Sequence, residues 1–384
     1  MVVVFLAGLL VPQSMVAQTE SVLYNFCSLT NCTDGHGPAG TLVRDANGNF
    51  YGATEGGGVA EGTVFKVSPD GGETVIYNFE FANNDGSFPE DGVIIDAQRN
   101  LYGTTLYGGS ANLGTVYKIS PAGSETILHS FTGGSSDGIG PYGPLLRDKN
   151  GNLYGTTIQG GAYFYGTIYK LTPHGAETIL HYFNPDEHDG AGPITGLTMD
   201  KQGNLYGVAL VGGRYKEGAV FEINSKGRYS ILYNFGATAT DGNGPATLTL
   251  DASGDLYGTT SVGGTYGAGT VFKLFRGANW NETVLYSFGS STTDGQNPLG
   301  VPLLDAQGNL YGTTFMGGNA ACGTIYKLTP SGEETILHDF GGAGDGCYPD
   351  GGLLKDSKGV FYGVTFAGGT GSYTPGGVVY KLVP

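Results

Sequence analysis

Four short apolar runs recur along this chain, separated by Gly, Pro and Asp, and the set repeats from end to end. In one unit the runs are Pro141 to Asp148 (a), Asn152 to Thr157 (b), Gly166 to Leu171 (c) and Glu177 to Phe183 (d). They are too short for helices and rich in Val, Ile, Leu, Tyr and Thr, which reads as strand. Tight turns at Asp148-Lys149-Asn150-Gly151 and Pro173-His174-Gly175 join a to b and c to d, so each unit predicts an antiparallel meander. Run b carries a Tyr-Gly pair at Tyr51, Tyr102, Tyr154, Tyr206, Tyr257, Tyr311 and Tyr362, spaced 51, 52, 52, 51, 54 and 51 residues apart. Seven four-stranded units of this size predict an all-β fold, a seven-bladed β-propeller.

The ends of the pattern predict how the ring closes. The last unit stops at Lys381-Leu382-Val383-Pro384, after its run c. The stretch Glu20-Ser21-Val22-Leu23-Tyr24-Asn25-Phe26 aligns with run d of the next unit, Glu73 to Phe79. Lending this strand to the last blade leaves no free sheet edge between the termini, whereas an open solenoid would need polar caps.

Charge within the repeat adds an expectation about register. Run c carries Lys66, Lys118, Lys170, Lys273, Lys327 and Lys381, and run d carries Glu73, Glu125, Glu177, Glu282, Glu334 and Glu20. Across a short turn these are expected to form cross-strand pairs. Blade four has Glu222 and Tyr229 at the two positions. His129, His181 and His338 stand where other units have Tyr24, Tyr77, Tyr233 and Tyr286, and are read as structural replacements for tyrosine.

Composition then narrows the class. With 71 Gly and a net charge of −16, the chain is turn-rich and acidic, which argues against nucleic acid or anionic membrane as a partner. Val2 to Val11 is apolar and is followed by small residues ending at Ala17. This reads as a secretory signal peptide over residues 1–17, too short to span a membrane. Residues 18–384 are expected to form a single propeller domain, secreted to the extracellular space or periplasm and monomeric. Cys27 with Cys32, and Cys322 with Cys347, are expected to form disulfides. A four-thiolate metal site is the alternative.

Candidate chemistry falls on one face. The d–a and b–c loops share it and are the longer ones, and loops carry function. Every d–a loop contains Asp-Gly-x-x-Pro, beginning at Asp34, Asp85, Asp137, Asp189, Asp241, Asp294 and Asp345. The pattern describes a turn; the same residues would also set a ring of carboxylates around the channel mouth. Around that mouth the departures from the repeat include His36, Glu55, Glu61, Glu90, Asp91, Glu187, His188, Arg214, Lys216 and Glu217, and the loop aromatics include Tyr107, Tyr163, Phe164, Tyr165, Tyr215, Tyr266, Phe315 and Phe366. Rings beside carboxylates suit stacking on sugars, or else cover loop backbone and blade seams. From these the expected ligand contacts are Asp34, His36, Glu55, Tyr107, Tyr163, Tyr165, His188, Arg214, Tyr215, Glu217, Tyr266 and Phe315. A carboxylate pair such as Glu55 with Glu217 has the chemistry for acid–base work. No HExxH, P-loop, CxxC or EF-hand spacing occurs, and no GxSxG elbow joins a strand to a helix, so neither a cofactor nor a metal is expected.

The unit GNLYGTTxxGGxxxxGTVYKLxPxGxETxLYxF resembles the Gloeobacter–Verrucomicrobia tandem repeat of exported, choice-of-anchor bacterial proteins, over residues 20–384. The resemblance implies an exported protein and supplies no catalytic residues. Many such proteins carry a sorting anchor; with Pro384 following a strand and no apolar tail, release is expected here. The chain is thus read as a secreted binding module for carbohydrate or another extracellular polymer. The alternative is a polysaccharide lyase or hydrolase acting over the channel mouth.

Overall fold

The computed structural model describes residues 19–59, 61–80, 84–277, 279–370 and 376–383. The expected leader, residues 1–17, lies outside them. Seven four-stranded antiparallel blades form the β-propeller. Blade one runs a His36–Arg44, b Phe50–Gly56, c Thr63–Val67 and d Glu73–Asn78, paired in that order. Blade three repeats this with Gly138–Arg147, Leu153–Gly160, Thr167–Leu171 and Glu177–Tyr182. In blades two, four, six and seven strand a is split, as at Gly86–Ser87 and Ile94–Ile95. The two pieces of strand a in blade two pair with opposite ends of the strand b region, Gly86 with Gly108 and Ile95 with Leu101.

The ring closes through the N-terminal strand. Thr19–Asn25 pairs antiparallel with strand c of blade seven, Val378–Val383, placing Val22 opposite Tyr380 and Tyr24 opposite Val379. Every blade thus has four strands and every outer edge is a d strand.

A repeated aromatic pair fills the seams between blades. The Phe that follows each strand d is buried and meets the aromatic ring of the next blade's strand c edge to face. Phe26 meets Phe65 at 4.8 Å, Phe131 meets Tyr169 at 5.2 Å and Phe340 meets Tyr380 at 5.1 Å. Such pairs add about 0.5–1.5 kcal/mol beyond the area they bury. The Tyr-Gly step of strand b makes room for the same ring: a Cβ on Gly155 would run into the Tyr169 phenol. The repeat is therefore a packing rule, in which the small residue of one strand accepts the large residue of its neighbour.

The DxxG position makes the a–b turn. Asp45 Oδ1 accepts the Asn47 and Asn49 amides, and its Oδ2 accepts the Asn49 side chain and the Tyr51 hydroxyl at 3.0 Å. The GNLYG motif is thus a capped turn tied to its strand.

The charge register differs from the expected one. Lys118 lies opposite Thr126, and Glu125 lies opposite Ile119. Adjacent residues of a strand point to opposite faces, so lysine and glutamate do not meet. Lys118 and Lys170 instead sit over the strand b tyrosines Tyr102 and Tyr154, at 5.9 and 5.6 Å. The glutamates turn into the seams, where they face the His or Tyr of one blade and the Asp of the Asp-Gly turn. Tyr77 donates to Asp85 and to Glu125, both at 3.2 Å. His129, His181 and His338 occupy the Tyr position, as the alignment predicts. In blade four Tyr229 replaces the glutamate, stacks on His181 at 3.6 Å and donates to Asp189. Glu222 accepts from Tyr206 at 3.2 Å. The joint change at these two positions is not a swapped ion pair.

Both expected disulfides form, Cys27–Cys32 and Cys322–Cys347. Among the described residues no helix is long and apolar enough to cross a membrane.

Candidate ligand site at the channel mouth

The seven a strands line the axis, and where each leaves its ladder it turns residues toward the channel. In blade three the register shifts between Tyr142 and Leu146. The residue after the Asp-Gly-x-x-Pro proline is Ala39, Glu90, Tyr142, Ile194, Ala246, Leu299 and Asp350 in blades one to seven. Blades seven, two and three therefore bring acid and phenol to one side of the mouth, while blades four to six bring apolar groups. A cavity of about 350 Å³ runs through this ring, with Glu90, Asp91, Tyr142 and Asp350 on one wall and Ile194 and Leu299 on the other.

Backbone packing fixes the acidic wall. Gly40 has φ +73°, and a Cβ there would run into the Asp91 carboxylate and the Gly92 nitrogen. Gly351 in turn lies on the Gly40 carbonyl, and Gly352 donates to Thr41 Oγ1 at 2.8 Å. This last contact joins the first and last blades at the axis.

The electrostatics of that wall depart from ordinary carboxylate behaviour. Burial, with Glu90 and Asp350 nearby, pushes Glu55 up to about 8. Glu90 is also raised by burial, against hydrogen bonds from Glu55 and Tyr142. Asp91 is pushed up to about 7 by burial, offset by the Gly92 amide and reinforced by Asp350 and Glu90. Asp350 reaches about 6 through burial and Glu90. Among the described residues no lysine or arginine lines the cavity, so crowding is relieved by keeping protons. At neutral pH Glu55 keeps its proton beside Glu90, with the Tyr142 phenol on the other side of that carboxyl. The wall offers a held proton beside a hydrogen-bonded carboxylate.

The expected contact residues fall into three places. Glu55 lies behind the acidic wall, outside the cavity lining, with Glu90 and Asp350 as its carboxylate neighbours. Glu217 packs against Gly236 in the b–c loop of blade four, and its carbonyl accepts from Gly244. Asp34 is fully buried in the blade seven–one seam, where it accepts from Tyr24, Ser28 and Leu29. His36 is half-buried against Gly56, and burial lowers its pKa.

The remaining residues form an outer rim. Tyr107 (47 % exposed), Tyr163 (49 %), Tyr165 (48 %), Tyr215 (43 %) and Tyr266 (57 %) present open rings along blades two to five. Phe88 meets Tyr107 edge to face, and Arg214 lies over Tyr215 at 5.7 Å. His188 is exposed at φ +61°, after the short 3₁₀ turn Pro185–Glu187. Phe315 stacks on Tyr348 at 5.1 Å and is half-buried.

Asp350 and Tyr142 were not singled out from the sequence. The signal that marks them is the residue after each repeat proline, which changes in character from blade to blade.

Comparison with known structures places the fold. Virginiamycin B lyase from Staphylococcus aureus superposes with a TM-score of 0.62 at 14% identity, covering 96% of this chain and 99% of that one. The extracellular domain of a hybrid two-component system from B. thetaiotaomicron gives 0.61 at 15%, over 95% of this chain and 41% of that one. PorZ, a surface component of the type-IX secretion system of Porphyromonas gingivalis, gives 0.55 at 14%, over 88% and 45%. At these identities the likeness is one of fold. No curated protein matches the sequence. The model of the Gloeobacter/Verrucomicrobia repeat matches residues 7–209 and 195–384, so the chain belongs to that repeat family.

Proposed function

We propose that this protein is an exported recognition module that receives an extracellular polymer, most simply a glycan, across the face bearing the channel mouth. The carrying observation is the arc of exposed rings at Tyr107, Tyr163, Tyr165, Tyr215 and Tyr266 beside a mouth that is acidic on one side and apolar on the other. Rings offer flat apolar faces to sugar C–H groups, and protonated and charged carboxyls beside them take up hydroxyls. Two disulfides fit an oxidising compartment, which supports export. A glycan array read against the tag-free chain tests the proposal. Tyr163→Ala and Tyr215→Ala should each weaken binding about fivefold to tenfold, ~1–1.4 kcal/mol; unaltered affinity in both would overturn it.

One observation favours a second reading, that of a polysaccharide-active enzyme. Glu55, at about 8, holds its proton at neutral pH beside the acceptor Glu90, the pairing that general acid–base chemistry needs. A release assay for new reducing ends or unsaturated products, run on the same glycans, separates the two readings. Release that Glu55→Gln abolishes, with binding retained, would establish the enzyme; binding without release sinks it.

A further inference from the structure

We propose that the seam between blades two and three is a divalent transition-metal site, most simply for Zn²⁺, formed by His129, Asp137 and Glu177. The seam between blades six and seven, with Glu20, His338 and Asp345, carries the same ligand set. In each seam the three side chains offer one ligand atom apiece, all within 4.8 Å of one another.

Comparison with the tyrosine seams shows why these two differ. In the blade one–two seam the Tyr77 phenol bridges Asp85 and Glu125 at 3.2 Å each, so a proton holds the two acids together. At His129 the imidazole Nε2 stands 3.5 Å from Asp137 and 3.6 Å from Glu177. His129 Nε2 is buried without a hydrogen-bond partner; Glu177 Oε1 is too, as is the corresponding glutamate oxygen in the tyrosine seams, for example Glu125 Oε1. Tetrahedral Zn²⁺ with bonds near 2.1 Å spaces its ligand atoms by about 3.4 Å, so the gap is metal-sized. One imidazole with two carboxylates is a borderline donor set that suits zinc.

Neighbouring groups hold Asp137 in place for this role. Thr132 donates to Oδ2 from its amide and its hydroxyl, and the Gly138 amide donates to Oδ1. Such outer partners orient metal-binding carboxylates. In the blade six–seven seam His338 reaches Asp345 at 3.0 Å, and Glu20 Oε1 is again buried and unpartnered. The third histidine seam provides an internal control. His181 reaches Asp189 at 2.7 Å, but Tyr229 takes the glutamate position and covers the ring; two ligands remain, and no site is assigned there.

The inference is independent of the glycan reading, because these seams lie outside the residues proposed for ligand contact. The test is zinc titration of the tag-free chain by calorimetry after dialysis against chelator. The informative variant is His129→Tyr, since tyrosine occupies this position in four of the seven seams and the fold accepts it. Expected are two equivalents for the native chain, one for His129→Tyr, one for His338→Tyr, none for the double variant, and two for His181→Tyr. Zinc should raise the melting temperature of the native chain and leave that of the double variant unchanged. Equal binding by the native chain and the double variant overturns the proposal. So does an absence of binding with His129 titrating by NMR as an imidazolium between its two carboxylates.

Discussion

The blade seams and the channel mouth are built from the same repeat and use it in opposite ways. At the seams, position after position is kept: a Phe packed on an aromatic ring, a Tyr or His on an Asp, a Glu behind it. At the mouth, the residue after each proline changes from Ala to Glu, Tyr, Ile, Leu and Asp. A seam serves only its two blades, so one solution recurs around the ring, with His in place of Tyr at three joints and Tyr229 in place of the glutamate at one. The mouth is shared by all seven blades, and each residue there contributes to a single cavity. Repetition in this molecule marks what holds it together, and departure from repetition marks the face proposed for ligand contact.

That contrast can be broken at the seams first. Deleting residues 19–26 removes the closure strand and Phe26, and should lower the melting temperature by on the order of 10 °C or more, since losing one buried Phe costs about 3–5 kcal/mol. Calorimetry checks this, and an unchanged transition would mean that closure contributes nothing. Phe131→Ala should cost about 3–5 kcal/mol by the same argument, while leaving glycan specificity unaltered in any fraction that folds.

The pH dependence joins the two regions. Seam carboxyls are raised by burial and a neighbouring Asp: Glu73, Glu125, Glu177, Glu282 and Glu334 to about 7, and Glu20 to about 6. A carboxyl whose folded pKa exceeds its unfolded value of about 4.5 favours the folded state when protonated. This contribution is complete below pH 4.5 and is lost as pH rises through 7. His129 acts in the same direction: burial pulls it down, yet Asp137 and Glu177 raise it overall, so its contribution fades above about 6.5. The turn aspartates such as Asp45 and Asp148, resisting burial through their amide donors, are lowered and favour the fold above about pH 4. Melting temperature should therefore peak near pH 5 and fall toward pH 8; a flat or rising profile over that range would contradict the seam assignment.

Substitutions at the mouth should have smaller effects on stability, some of them favourable. Glu55→Gln removes a carboxyl that must lose its proton above about pH 8, so it should raise the melting temperature slightly at pH 9 and leave it unchanged at pH 5. The smallest effect is expected at the rim. Tyr266→Ala truncates a ring 57 % exposed and should shift stability within about 0.5 kcal/mol, while weakening glycan binding. A large loss of stability there would turn the rim into a packing element.

Much of the architecture was legible because a period of about 50 residues with alternating short apolar runs has few folded solutions. The incomplete last unit and the matching Glu20–Phe26 stretch identify the closing strand. The Lys–Glu pairing did not follow, because one residue of register moves a side chain to the other face, and register depends on the turn. The aspartates of the Asp-Gly turns were open to two readings, and burial in the seams answers for Asp34. The acidic wall was half visible: Glu55, Glu90 and Asp91 break the repeat, but Asp350 lies 260 residues from Glu90.

By itself, then, the sequence determined the blade count, the strand order and the closure, all of which are local patterns repeated or interrupted along the chain. Only the tertiary structure decided which carboxyls face one another and which hold a proton. Those properties depend on distances across the axis and across the seams, between residues whose separation along the chain carries no record of their separation in space.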